Sequence, residues 1–192
     1  MSTRNTVAVL DACVLYSSVA RDLLLWLAKF KFFQPKWSSS IHDEWTRNLL
    51  ANRPDIKQDQ VDWTIGQMET SFPDALIGEK IEMLNASLPD EKDLHVLQAA
   101  VACRADVIVT FNLRDFPTSD LSKFFLEAKH PDTFCCDLMK VDRKTALIAF
   151  EKQVDNLEQP RLTFIDVLDN LARSGMPRSA SLLHELVKHR PR

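Results

Sequence analysis

The chain has 192 residues, 45% hydrophobic and 27% charged, a globular composition at a length that suits one domain or one domain with an appendage. Its three glycines, Gly66, Gly78 and Gly175, lie too far apart for a G-x-G-x-x-G dinucleotide turn or a glycine-rich phosphate loop. The net charge of −3 gives no global pull toward nucleic acid or membrane, although residues 141–192 are mildly basic, with nine cations against seven acids.

The longest apolar run, Leu23 to Ala28, is too short to span a bilayer, and Met1 to Asn5 carries no signal-peptide core. A cytoplasmic protein with reduced thiols is the expectation. Cys13, Cys103, Cys135 and Cys136 form no C-x-x-C, and the five histidines have no zinc spacing.

Val7 to Leu10 is a continuous apolar run and predicts a strand buried on both faces, ending at Asp11. Residues 18–33 follow as a helix capped by Ser17 or Ser18 and stopped by Pro35. Ser38 to Ser40 open a helix over 40–52, and Pro54 separates it from another over 57–71. Residues 74–78 read as a short strand and 79–84 as a helical turn. After the loop 88–92 comes a helix over 93–104, then a second buried strand at 107–111. A weaker strand near 124–126 precedes Pro131, which suits the first turn of a helix. From about 141 the pattern is helical only, over 144–157, 164–173 and 178–189, with a turn at Gly175. Alternating strands and helices predict an α/β fold with a central parallel sheet. The division is residues 1–140 for the α/β domain and 141–192 for a helical extension, docked through Phe150, Leu157, Phe164, Leu168 and Leu171.

In open α/β sheets ligands bind beyond the C-terminal ends of the strands. Asp11, Asn112 and Asp115 follow buried strands, and Asp93 and Glu44 lie in the first turns of helices that can reach the same edge. Such acids repel one another unless a cation lies between them, and oxygen ligands suit Mg²⁺ or Mn²⁺. Each acid also has a plain reading as a cap, a turn former or a solvated charge, and spacing alone does not choose.

The string Val9-Leu10-Asp11-Ala12-Cys13-Val14-Leu15 resembles the opening motif of the PIN-domain family. Arg21 to Leu25 and Pro35 to Ser38 resemble one branch of it, and His42-Asp43-Glu44-Trp45 is similar to its second acidic motif. Asp93 to Ala100 is similar to the third motif and Val109 to Pro117 to the fourth, so the likeness covers residues 7–135. The resemblance implies a three-layer α/β/α domain and a Mg²⁺- or Mn²⁺-dependent endoribonuclease, the VapC-type toxin of a toxin–antitoxin pair. It implies an RNA substrate, a small cognate antitoxin and a homodimer, with no membrane partner. It makes Asp11, Glu44 and Asp93 the metal-binding and catalytic acids. Many members have an acid where this chain has Asn112, so Asp115 is expected to take over, with Asp90 as a further candidate. Thr110 stands where the family often has a Ser or Thr that contacts the site. Arg21, Arg47 and Arg114, near the acidic motifs, are candidates for RNA phosphates.

Two other readings compete. A PIN-like module that binds RNA or protein without chemistry is compatible with Asn112. A phosphatase of the haloacid dehalogenase type also has Asp after its first strand, but needs a second Asp where Cys13 stands.

Overall fold

The computed structural model describes residues 6–78, 88–157 and 161–189. The helical turn expected at 79–84 lies outside the described residues. Among the described residues four parallel strands form the sheet: β1 (Val7–Leu10), β2 (Gln34–Lys36), β3 (Val107–Val109) and β4 (Glu127–Lys129), in the order β2-β1-β3-β4. The central strands β1 and β3 supply Ala8, Val9, Leu10, Ile108 and Val109, all fully buried, as their unbroken apolar runs require.

Between β1 and β2 come α1 (Ala12–Tyr16) and α2 (Ser18–Lys29); between β2 and β3 come α3 (Ser39–Asn52), α4 (Gln58–Ser71) and α5 (Leu94–Ala102). The path runs from β1 outward to β2 and then returns past β1 to β3. With right-handed crossovers that reversal places the two sets of helices on opposite faces, a three-layer α/β/α arrangement. After β3 come α6 (Thr118–Leu121), β4, and the helices α7 (Pro131–Val141), α8 (Arg143–Asp155), α9 (Phe164–Arg173) and α10 (Pro177–Lys188).

Three sequence expectations need correction. The helix expected over 18–33 ends at Lys29, and Gln34–Lys36 is a strand despite Pro35. Proline lacks an amide donor, and β2 tolerates it at the sheet's margin, paired with β1. The strand expected near 124–126 begins at Glu127, because Glu-Ala-Lys on an edge has no apolar signature. The strand expected at 74–78 is a single parallel bridge, Trp37 to Leu76.

Helix ends show how a glycine-poor chain turns. At Lys31 (φ 65°), Arg104 (φ 52°) and Phe125 (φ 58°) a side-chain-bearing residue takes the left-handed conformation usually given to glycine. Each closes a Schellman motif, as where Phe32 N donates to Leu27 O at 3.1 Å and Lys31 N to Ala28 O at 2.8 Å. Gly175 (φ 91°) makes the same closure after α9.

The C-terminal helices complete the core rather than trail from it. Phe150 and Leu171 are fully buried, Leu168 nearly so, and Leu157 and Phe164 pack at the margin as expected. Gln153 of α8 donates to the Val19 carbonyl of α2. Asp132 of α7 is 4% exposed and caps another helix: its carboxylate accepts from Arg178 N at 3.0 Å and Ser179 N at 2.6 Å, in the first turn of α10. Met176, at that helix's own N-cap, offers no side-chain acceptor.

Two stability changes are expected. Phe125 is 96% exposed, so Phe125→Gly loses no packing and relieves the left-handed strain, for a gain of up to about 1 kcal/mol in urea unfolding. Asp132→Ala strands two helix N–H groups and should cost about 1–3 kcal/mol, with exchange protection lost first in α10.

Candidate active site

Strand order turns back at β1, which opens a crevice where the C-terminal ends of β1 and β3 lie side by side. Asp11 follows β1 there and is 3% exposed. It starts α1 with its backbone, its carbonyl accepting from Val14 N and Leu15 N, while its side chain does not cap the helix. Instead Oδ2 accepts from Thr110 Oγ1 at 2.7 Å and from Cys13 Sγ at 3.0 Å. Thr110 in turn accepts from Asn112 N at 2.9 Å, and Cys13 from Phe111 N at 3.3 Å.

Burial pushes the Asp11 carboxyl above its ordinary range; the donors from Thr110, Cys13 and the Ala12 backbone pull it back, and the Glu44 charge adds to the rise. Burial and the neighbouring Asp11 also push the Cys13 thiol well up, so it keeps its proton. Asp93, half-buried at the end of the turn Glu91–Asp93, is raised to about 6, first by burial and then by the charges of Asp11, Asp115, Asp90 and Glu44.

The other acids differ in their attachments. Glu44 on α3 faces the ring of His95 on α5, with Oε2 and Nε2 3.1 Å apart. Burial opposes charge on His95, but Glu44 and the Lys92 carbonyl, 2.7 Å from Nδ1, outweigh it and hold its pKa above the usual value. Asp115 is half-buried in the turn Leu113–Asp115. Asp90 is exposed and accepts from Lys92 N. Asn112 is exposed too, and its backbone rather than its amide supports the site.

Among the described residues no three His, Cys, Asp or Glu side chains stand close enough to cage an ion. The donor set nonetheless suits a hard divalent cation, since the carboxylates that raise Asp93 are oxygen ligands whose repulsion a positive ion would cancel.

The sequence carries a matching signature. The family described as PIN domain matches residues 6–114. The chain belongs to the PIN-domain family. A second family, described as VapC50 C-terminal domain, matches residues 131–185, which begin at α7. Among curated proteins, "Putative ribonuclease VapC50" of Mycobacterium tuberculosis (strain ATCC 25618 / H37Rv) is 37% identical over 95 residues, 50% of this chain and 56% of that protein. The match thus spans about half the length of that relative. No solved structure matches the chain.

Within this PIN domain the three arginines stand differently. Arg21 is half-buried, donates to the Leu15 carbonyl and lies 5.0 Å over the ring of Trp45, so it braces α2 against α3. Arg47 and Arg114 are exposed. Cys13 and His95 are neighbours of the site acids to which the sequence assigns no place in the site; a helix-opening histidine such as His95 reads more readily as a surface or capping residue. The i+2 spacing from Asp11 at a helix start was the available signal for Cys13; only the packing of α3 beside α5 pairs His95 with Glu44.

Asp93 carries a pH signature in the metal-free protein. An acid whose folded pKa exceeds its unfolded value stabilises less as pH rises, here between about 4 and about 6. Asp93→Asn should match the parent's melting temperature at pH 4 and exceed it at pH 7, by roughly one to three degrees after allowance for solvent screening. Equal melting temperatures at both pH values would contradict the electrostatic assignment.

Proposed function

We propose that the chain is a metal-dependent endoribonuclease that hydrolyses RNA phosphodiester bonds and serves as the toxin of a type II toxin–antitoxin pair. The observation that carries this reading is the gathering of acids at the crevice between β1 and β3, where buried Asp11 feels the charge of Glu44 and Asp93 feels those of Asp11, Asp115, Asp90 and Glu44. The PIN-domain match and the ribonuclease name of the relative support the same activity.

In this reading Asp11, Glu44, Asp93 and Asp115 are the catalytic acids and hold Mg²⁺ or Mn²⁺, with Asp90 at the margin. The bound ion supplies a nucleophile at neutral pH and offsets charge on the phosphodiester. Thr110 and Cys13 hold Asp11 against the sheet end, so that its charge needs no reorganisation when substrate arrives. His95 keeps Glu44 at the crevice. Arg47 and Arg114, both exposed, contact phosphates of the RNA, while Arg21 acts through α3. The nuclease unit is residues 1–140, and residues 141–192 form a helical extension that buttresses it. A small antitoxin and a second copy of the chain are the protein partners, with exposed apolar side chains such as Trp63 available for contact. The setting is cytoplasmic; among the described residues no helix is long and apolar enough to cross a membrane.

The test is cleavage of mixed cellular RNA with Mg²⁺ or Mn²⁺. Asp11→Asn, Glu44→Gln and Asp93→Asn should each lower the rate by at least about a hundredfold while circular dichroism stays that of the parent. Excess chelator should stop cleavage without unfolding, since the core is apolar and independent of metal. Metal-independent RNA binding with no cleavage would favour the non-catalytic module instead.

A further inference from the structure

The side-chain protons that reach Asp11 can be counted, beside the Ala12 backbone amide that also acts on its carboxyl. Thr110 has one hydroxyl hydrogen and Cys13 one thiol hydrogen. Thr110 Oγ1 lies 2.7 Å from Asp11 Oδ2 and Cys13 Sγ lies 3.0 Å from the same oxygen, both closer than the 3.4 Å between thiol and hydroxyl, so the shorter contacts assign each hydrogen to the carboxylate. Each also accepts one backbone N–H from the segment after β3: Asn112 N reaches Thr110 at 2.9 Å, and Phe111 N reaches Cys13 at 3.3 Å. The two side chains are therefore parallel relays, each linking a backbone amide to one carboxylate oxygen.

We infer that Cys13 is a positioning residue for the divalent cation of the proposed reaction: with Thr110 it fills Oδ2 of Asp11 and so presents Oδ1 as the oxygen that takes the ion. This rests on the nuclease reading above. Two donors on one oxygen occupy its lone pairs and fix the carboxylate plane, which is how groups behind a ligand tune metal affinity. The thiol position is itself braced. Phe111, whose amide reaches Cys13, packs its ring edge-on to His130 at 5.1 Å, and its Cε1 lies only 3.3 Å from where a Cβ on Gly175 would stand. The turn between α9 and α10 thus backs the residue that holds the thiol.

The test is calorimetric titration of the full-length, metal-free chain with Mn²⁺, for the parent, Cys13→Ala and Cys13→Ser. Alanine removes the donor and should weaken Mn²⁺ binding about tenfold or more. Serine restores a donor and should bind within about threefold of the parent. With RNA at saturating Mn²⁺, alanine should lower kcat per folded molecule, the folded fraction being fixed by circular dichroism, and leave KM within about twofold, while serine restores kcat. If alanine does not fold, Cys13→Val keeps the volume without the donor and should show the same loss. Parent-like Mn²⁺ affinity in the alanine or valine variant, or failure of serine to restore it, would overturn the assignment of Cys13 alone. No Mn²⁺ uptake by the parent would overturn both this inference and the metal-dependent reading beneath it.

Discussion

A carboxylate buried at the end of a buried strand is the constraint on which the rest of the molecule turns. Asp11 is 3% exposed, and a carboxylate that deep needs donors or a cation. The donors come from the adjacent strand's end, because β1 and β3 are neighbours in register, Leu10 beside Val109. That register brings Thr110 level with Asp11, and the start of α1 turns Cys13 back toward the same oxygen. A register shift of one residue would turn Thr110 to the opposite face and leave Asp11 with the thiol as its side-chain donor.

Around that fixed point the acids are held apart by different means. Glu44 leans on His95, Asp90 is tied to its own loop, and Asp93 and Asp115 sit in short turns at the mouth of the crevice. The consequence is repulsion stored at one edge of the sheet, visible in the upward shift of Asp93. Stored repulsion of this kind costs stability and prepares a site for a positive charge.

The scaffold that bears this strain closes its helices in an unusual way. With few glycines available, helices end on Lys31, Arg104 and Phe125 in the left-handed region, each a local cost that packing must offset. The one glycine that closes such a motif, Gly175, sits against Phe111, where the approach leaves no room for a side chain without a shift. Asp132 then ties the first turn of α10 to α7, so the C-terminal helices are joined to the sheet by a buried polar contact as well as by apolar packing.

The apolar runs of β1 and β3, the amphipathic helices and the order of the acidic motifs were legible in the chain, because hydrophobic period and residue type are local properties. Those local signals sufficed for an α/β fold with a parallel sheet, and the order of the acids for the family resemblance. The edge strands were not legible: Gln-Pro-Lys and Glu-Ala-Lys pair because a neighbour offers them backbone partners, not because their side chains favour strands. Nor were the three left-handed helix ends, which lack the glycine that would announce them. The arrangement around the acids was decided by tertiary structure alone. Cys13 meets Asp11 and Thr110, His95 meets Glu44, and Arg21 meets Trp45, because burial and hydrogen-bond geometry depend on atoms up to 99 residues apart in the chain. Sequence spacing carries residue identity but not direction, and the chemistry of a carboxylate depends on what its oxygens face.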